Sequence, residues 1–206
     1  MNPYNAVSEF EKAIAKFAGS KFAVSIDNCS NALFLCCKYL NVKKVTIPNK
    51  TYPSVPCSII HSGGSVDFTE LEWRSNRFYQ LNPYQIFDAA HLFEKDMYKK
   101  LSDNKKNSYV CISFSSTKPI NNGKGGMILT NDKNSVSWFQ KARYCGRNHK
   151  PLCEDSFDIL GWNMYMTPEQ ASRGLVLLSN INNIKQQEVP VYPDLSKYEV
   201  YKKDLQ

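Results

Sequence analysis

The spacing of apolar residues changes several times along the chain, and each change marks an element. Val7, Phe10, Ile14 and Phe17 share one face of a helix over residues 4–18, which Gly19 ends. FAVSI (22–26) has the length of a short buried strand, Asp27–Asn31 is a polar turn, and ALFLCCKYL (32–40) reads as a helix. KVTIP (44–48) is the next strand. Pro53 opens a helix through His61, closed by Gly63-Gly64, and SVDF (65–68) is again strand-like. Residues 69–83 follow neither period. YQIFD (84–88), SYVCISF (108–114) and MILT (127–130) read as strands, and WFQKARYC (138–145) as a helix. Thr167-Pro168-Glu169 places a capping hydroxyl and a first-turn proline at the start of a helix over 168–187. Strands alternating with helices predict an α/β fold with a mainly parallel sheet flanked by helices. The remaining stretch, 188–206, carries two prolines and is expected to lie over the body as an arm.

Composition narrows the class. The 206 residues can build one substantial core, and 42% hydrophobic with 22% charged residues is ordinary for a globular chain. No apolar run approaches the ~18 residues of a membrane span. The N-terminus has no basic leader before an apolar block, so no signal peptide is expected. Seven cysteines, with no C-x-x-C pair and several inside apolar runs, read as buried thiols of a cytoplasmic protein. His61, His91 and His149 form no ligand pattern, so no metal is expected. The net charge of +7 is spread along the chain, with short clusters such as Tyr98-Lys99-Lys100 and Lys105-Lys106. That distribution suits a solvated surface, and an anionic small substrate, better than a nucleic-acid interface.

Chemistry-bearing residues fall where strands end, and ligands of open α/β sheets gather at the carboxyl ends of strands. The turn Asn28-Cys29-Ser30-Asn31 separates a strand from a helix. Its N–H groups and the Ser30 hydroxyl could hold a phosphate, or Ser30 or Asn31 could simply cap the helix. Asp88 ends YQIFD and could meet a metal, a ribose or a protonated ring nitrogen, or cap a helix. Ser113 and Lys118 follow the buried strand ending at Phe114, with Gly123, Gly125 and Gly126 allowing tight turns nearby. An amine in a partly dry site can attack a carbonyl. A phosphate cradle, an acid and a strand-end lysine, in that order, form a working set for pyridoxal phosphate.

These residues carry a resemblance. From about Phe10 to about Asn183 the chain resembles the DegT/DnrJ/EryC1/StrS sugar aminotransferases, a branch of the fold-type I pyridoxal-phosphate enzymes. Asn28-Cys29-Ser30-Asn31-Ala32-Leu33 is similar to the family's N-G-T-x-A-L phosphate stretch. IPNKTYPSVPCSI is similar to P-x-x-T-[FYW], FDAAHLF to E-D-A-A-[QH], and CISFSSTKPINNGKGGMILTND to S-F-x-x-x-K-x-x-x-x-G-E-G-G. LGWNMYMTPEQAS is similar to G-x-N-x-R-M-x-x-x-x-A-A. The resemblance implies pyridoxal phosphate held as a Schiff base on Lys118, with pyridoxamine phosphate as an intermediate form. Asp88 is implied at the pyridine nitrogen and His91 near the phenolic oxygen. Tyr52 is implied as the stacking aromatic, and Cys29, Ser30, Asn31 and Ser113 at the phosphate. Asn163 is implied to reach the phosphate of a neighbouring subunit, which makes a homodimer with shared sites.

The activity implied is transfer of an amino group from an amino acid, with glutamate the expected donor, to a keto group of a nucleotide-linked sugar in amino-sugar biosynthesis. Lys118 would also be the base of the 1,3-proton shift. Two other readings stand beside it: a family enzyme with another substrate or reaction, and a non-catalytic cofactor-binding remnant. Some dehydratases of the family carry His at the lysine position, and Lys118 argues against that version. The chain departs from the pattern at Cys29, Phe87, Lys124 and Tyr165. Asp67–Asp88 is short for the family, so a βα unit is expected to be missing. Residues 1–187 are expected to form a reduced cofactor-binding large domain. Residues 188–206 are expected as an arm or a remnant of a C-terminal small domain that is otherwise largely missing.

Overall fold

A computed structural model describes residues 4–103, 107–148, 150–181 and 188–202. Lys105-Lys106, His149 and residues 182–187, on which some expectations rested, lie outside these. Helix α1 (Asn5–Ala18) leads to β1 (Phe22–Ile26), α2 (Cys29–Tyr39), β2 (Lys44–Pro48), α3 (Ser54–His61) and β3 (Ser65–Thr69). Then come β4 (Tyr79–Gln80), β5 (Ile86–Asp88), α4 (Met97–Ser102), β6 (Tyr109–Ser113), β7 (Gly126–Thr130), α5 (Lys133–Ala142) and α6 (Pro168–Ser179).

Five strands form one sheet in the order β1-β7-β6-β5-β4, and β2 pairs with β3 beside it. A single antiparallel bridge, Thr46 to Asn82, joins the two. Successive residues of the central strands face opposite sides. Tyr109, Cys111 and Ile128 pack with α2, while Val110, Ile112, Met127 and Leu129 pack with α1, α4 and α6. Burial on both faces explains why these strands read as unbroken apolar runs.

The α/β class holds, but the sheet is mixed rather than mainly parallel. Within the five-stranded sheet only β5 and β6 run parallel, and β1–β7, β6–β7 and β4–β5 are antiparallel. The connection from β6 to β7 contains no crossover helix, and a chain that returns without one pairs antiparallel. Only β2 and β3, joined through α3, repeat the parallel arrangement. No helix lies between β3 and β5, in line with the expected loss of a βα unit. The structure adds β4 and α4, two and six residues long, too short to show a period.

Helix α2 begins three residues earlier than its apolar run. Asn28, in extended conformation, is the cap, and its side chain accepts the N–H of Asn31 at 2.8 Å. The cap is thus neither Ser30 nor Asn31. Helix α5 spans 133–142 because Asp132 caps it, earlier than the expected 138. Helix α6 starts as expected, with reciprocal capping between Thr167 and Gln170, and ends at Ser179, short of the expected 187. It packs on α1 where Gly174 meets Phe10; a Cβ there would sit 2.5 Å from the ring. No helix among the described residues is long and apolar enough to cross a membrane. All seven cysteines are free, four of them buried, with Cys145 and Cys153 exposed.

A buried ion pair ties three elements together. Arg143, just past α5, donates to Glu11 of α1 and to the Ser25 carbonyl at 2.7 Å, while Ser25 N–H donates to Glu11 at 2.9 Å. Glu11→Gln removes the charge opposite a buried guanidinium, so a loss of about 2 kcal/mol of stability is expected. For a chain of this size that is roughly 4–8 °C in Tm by calorimetry. An unchanged Tm would show that the pair contributes nothing to stability.

Candidate functional site

The register of the sheet gathers the strand ends. Ile26 of β1 and Ser113 of β6 both pair with Gly126 of β7, and Asp88 of β5 pairs with Cys111 of β6. The turns that leave these strands therefore open on one side. Gly126 brings the first of them close: a Cβ there would overlap the Asn28–Cys29 backbone. Between the start of α2, the turns after β5 and β6, and residues 188–192 lies a cavity of about 530 Å³. Its size is that of a small-molecule site.

Asp88 is buried, and both its oxygens are held. Tyr79 donates to Oδ2 at 2.8 Å and the Ala90 N–H donates to Oδ1 at 3.0 Å, so this aspartate caps no helix. Burial pushes its carboxyl up from the ordinary value. The Ala90 N–H, the Tyr79 hydroxyl and the Lys118 amine oppose that shift.

Lys118 sits half-buried in the turn after β6, its N–H donating to Ser115 O at 3.0 Å. Its Nζ lies 3.1 Å from Nδ1 and 3.2 Å from Nε2 of His91. One amine cannot align with both nitrogens. Nε2 is already engaged with Tyr192 Oη at 2.8 Å, so Nδ1 is the partner of Lys118. Burial and the neighbouring charges of Lys118 and Arg77 push His91 down to about 4, leaving a neutral imidazole. Burial lowers the Lys118 amine below the ordinary lysine value, against the opposing pull of Cys29 and Asp88. That shift favours the neutral amine, which is the form that attacks a carbonyl.

Hydroxyls and a helix start complete the lining. Ser30 donates to Ser54 at 2.6 Å, bringing the first turns of α2 and α3 together. Ser113 and Ser115 face the same cavity. Such hydroxyls beside the free N–H groups of an eleven-residue helix suit a phosphate. The Cys29 thiol is raised well above its usual value by burial and by Asp88, so it stays protonated and packs as a small apolar group.

Of the residues singled out by sequence, Cys29, Ser30, Tyr52, Asp88, His91, Ser113 and Lys118 line this one cavity. Tyr52 stands at its mouth, 57% exposed, its ring edge-on to Tyr192. Asn31 does not line it. Its carboxamide donates to Asp27 at 2.7 Å, and it borders a neighbouring hollow of about 420 Å³. Asn163 is exposed, paired by a β-bridge to Tyr144, and lies outside the cavity. Four participants were not named from sequence: Thr51, Trp73, Tyr79 and Tyr192. Trp73 and Tyr79 fall in the stretch without a period, and Tyr192 reaches His91 across 101 positions of chain. No local signal marks such contacts. No cluster of His, Cys, Asp and Glu suited to a metal occurs among the described residues.

The sequence model of the DegT/DnrJ/EryC1/StrS aminotransferase family matches residues 1–89 and 80–197. The chain is 26% identical to a GDP-perosamine synthase of Caulobacter vibrioides, over 85% of this chain and 57% of that protein. It is 23% identical to a UDP-4-amino-4,6-dideoxy-N-acetyl-beta-L-altrosamine transaminase of Campylobacter jejuni, over 91% of this chain and 61% of that one. The chain thus spans about three-fifths of the length of these curated relatives. The fold matches that of DesV from S. venezuelae with a TM-score of 0.69 at 17% identity, covering 86% of this chain and 57% of the other. It also matches PseC of Helicobacter pylori, with a TM-score of 0.65 at 18% identity, over 89% of this chain and 64% of the other. With the family match reaching from the first helix through the segment that carries Tyr192, the chain belongs to the DegT/DnrJ/EryC1/StrS aminotransferase family.

Proposed function

We propose that this chain binds pyridoxal phosphate through Lys118 and transfers an amino group from an amino acid, glutamate being the candidate donor, to a keto group of a nucleotide-linked sugar. The observation that carries the reading is the convergence, in one cavity of about 530 Å³, of a lysine with a lowered pKa, a buried aspartate and serine hydroxyls at a helix start. The donor set fits the group: an amine for its aldehyde, a carboxylate for its protonated ring nitrogen, hydroxyls and helix N–H groups for its phosphate. When bound, pyridoxal phosphate supplies an aldehyde that joins amines and a protonated ring that takes up electrons.

The chain's own residues supply the rest. Asp88 holds the proton on the ring nitrogen. Ser30, Ser113 and the first turn of α2 hold the phosphate, with Cys29 packing beneath. Neutral His91 orients the Lys118 amine through Nδ1, and it and Tyr52, which both line the cavity, would help to hold the ring. Nζ of Lys118, in the cavity beside His91, would be the base that moves a proton at the α-carbon of the amino donor. Residues 1–187 form the cofactor-binding unit in this reading, and 188–206 an arm whose described part, 188–202, is fastened by Leu195 N–H to Asn49 O at 2.8 Å. The free thiols suit a reducing cytoplasm.

The test is direct. Reconstituted protein should be yellow, and glutamate should bleach it while a nucleotide keto-sugar restores the colour and leaves as the amine. Colourless protein after reconstitution would overturn the reading.

Asn163, exposed and outside its own chain's cavity, supports a homodimer in which it serves the partner's phosphate. Lys118→Ala and Asn163→Ala chains, each impaired alone, are expected to recover on mixing. In a mixed two-fold dimer one site collects both defects and the other neither, so random exchange leaves about a quarter of all sites intact. No recovery, with mixed dimers verified by mass spectrometry, would remove Asn163 from a shared site.

A further inference from the structure

We propose that Tyr79, backed by Thr51, is a positioning residue that fixes the Asp88 carboxylate and keeps its charge in the buried site. The inference rests on the reading of Asp88 as the partner of the cofactor's ring nitrogen, and it assigns a role to Tyr79, which carries no motif, and to Thr51, whose motif position came with no role. Tyr79 lies directly opposite Asp88 in the antiparallel pair of β4 and β5. That register puts both side chains on one face of the sheet. Tyr79 spends its only proton on Asp88 Oδ2, at 2.8 Å. In the short contact between Thr51 Oγ1 and Tyr79 Oη, Thr51 must therefore be the donor. The result is a directed chain of hydroxyls, Thr51 to Tyr79 to Asp88, with the Ala90 N–H completing the carboxylate on its other oxygen.

The arrangement is rigid and dry. Thr51 is 1% exposed and Tyr79 3%. The Tyr79 ring packs edge-on against Trp73 at 4.9 Å, and Trp73 is fixed by its indole N–H donating to Lys50 O at 2.9 Å. A carboxylate in such surroundings tends to take up a proton, and a neutral Asp88 could not hold a proton on a ring nitrogen. Donors aimed at the anion counter that tendency, and a donor that itself accepts a hydrogen bond is polarised further. Burial and Asp88 hold the Tyr79 hydroxyl well above its ordinary value, so it remains a donor at any working pH. The other titratable groups facing Asp88 are Cys29 from α2, Cys111 from β6, Lys118 from the turn after β6 and Tyr192 from the C-terminal segment. Of these, Cys29, Cys111 and Tyr192 are neutral near pH 7, each raised by burial, and Lys118 acts in the same direction as Tyr79.

Losing a donor to the anion favours the protonated acid. The carboxylate of a Tyr79→Phe variant should therefore be lost at a higher pH on acidification. The first measurement uses cofactor-free protein carrying carboxyl-labelled aspartate, with the Asp88 signal identified by its absence in Asp88→Asn. Tyr79→Phe, which keeps the ring and its packing, is expected to move the Asp88 midpoint up by about one pH unit, and Thr51→Val by less in the same direction. The second measurement is pyridoxal phosphate affinity against pH. Its acid limb should shift upward in Tyr79→Phe and be missing in Asp88→Asn. A folded Tyr79→Phe protein with an unmoved Asp88 midpoint overturns the inference, because a purely structural tyrosine would change stability without moving that titration. Wild-type protein that binds no pyridoxal phosphate overturns the cofactor reading instead, while a shifted midpoint in the cofactor-free protein still sustains the hold of the hydroxyl pair on Asp88.

Discussion

Lys118→Ala should leave a protein that folds normally, stays colourless with pyridoxal phosphate and gains no label when treated with borohydride. In the wild type the same treatment should fix the cofactor to Lys118, mapped by mass spectrometry of peptides. The reason is the position of Nζ: it lies in the cavity, 3.1 Å from a neutral histidine. Because the proposed function makes the amine both the attachment point and the proton carrier, amino transfer should fall by at least ~10³-fold. Stability should hardly change, since the amine already carries a desolvation cost that lowers its pKa. The sign of that shift adds a pH dependence. Attachment should speed up as pH rises through the lowered amine pKa and level off below the range of an ordinary lysine. A label on another lysine, or turnover that survives the substitution, would remove Lys118 from the mechanism.

Asp88→Asn should separate binding from chemistry. The carboxamide keeps one acceptor oxygen for the Ala90 N–H, and its NH2 group can donate to the Tyr79 hydroxyl, so the fold and some cofactor affinity should persist. What disappears is the negative charge that the proposed function sets beside the ring nitrogen. Removing one preorganised electrostatic group of this kind typically costs about 10²–10³ in rate, roughly 2.7–4 kcal/mol. Stopped-flow observation of cofactor bleaching by the amino donor measures that step without the sugar substrate. An unchanged rate in Asp88→Asn would show that the ring nitrogen finds its proton elsewhere, and both the aspartate's role and that of Tyr79 behind it would fall.

Much of the site could be read along the chain because its parts are local. The turn after β1, the acid ending β5 and the Ser113–Lys118 spacing each occupy a few consecutive residues. Strand ends, polar turns and glycines mark them. The apolar periods likewise located α1, β1, β2, β3 and β6 within one or two residues. Short elements escaped for the same reason. Two residues of β4 and six of α4 are fewer than a period needs before it can be recognised.

Sequence alone determined the α/β class and the order of the chemistry-bearing segments, and it singled out the candidate lysine and aspartate, since those depend on residue type and near spacing. Tertiary structure decided the direction of the strands, because antiparallel return from β6 to β7 depends on what the connecting loop does in space. It turned Asn31 away from the cavity toward Asp27, since Asn28 had already taken the cap. It brought Tyr192 to His91 and Tyr79 to Asp88, the first across 101 residues and the second through a register that two hydrogen-bonded residues suffice to set. Such contacts come from packing of the whole core, in which each side chain's neighbours are fixed by the sheet order and not by its own flanking residues.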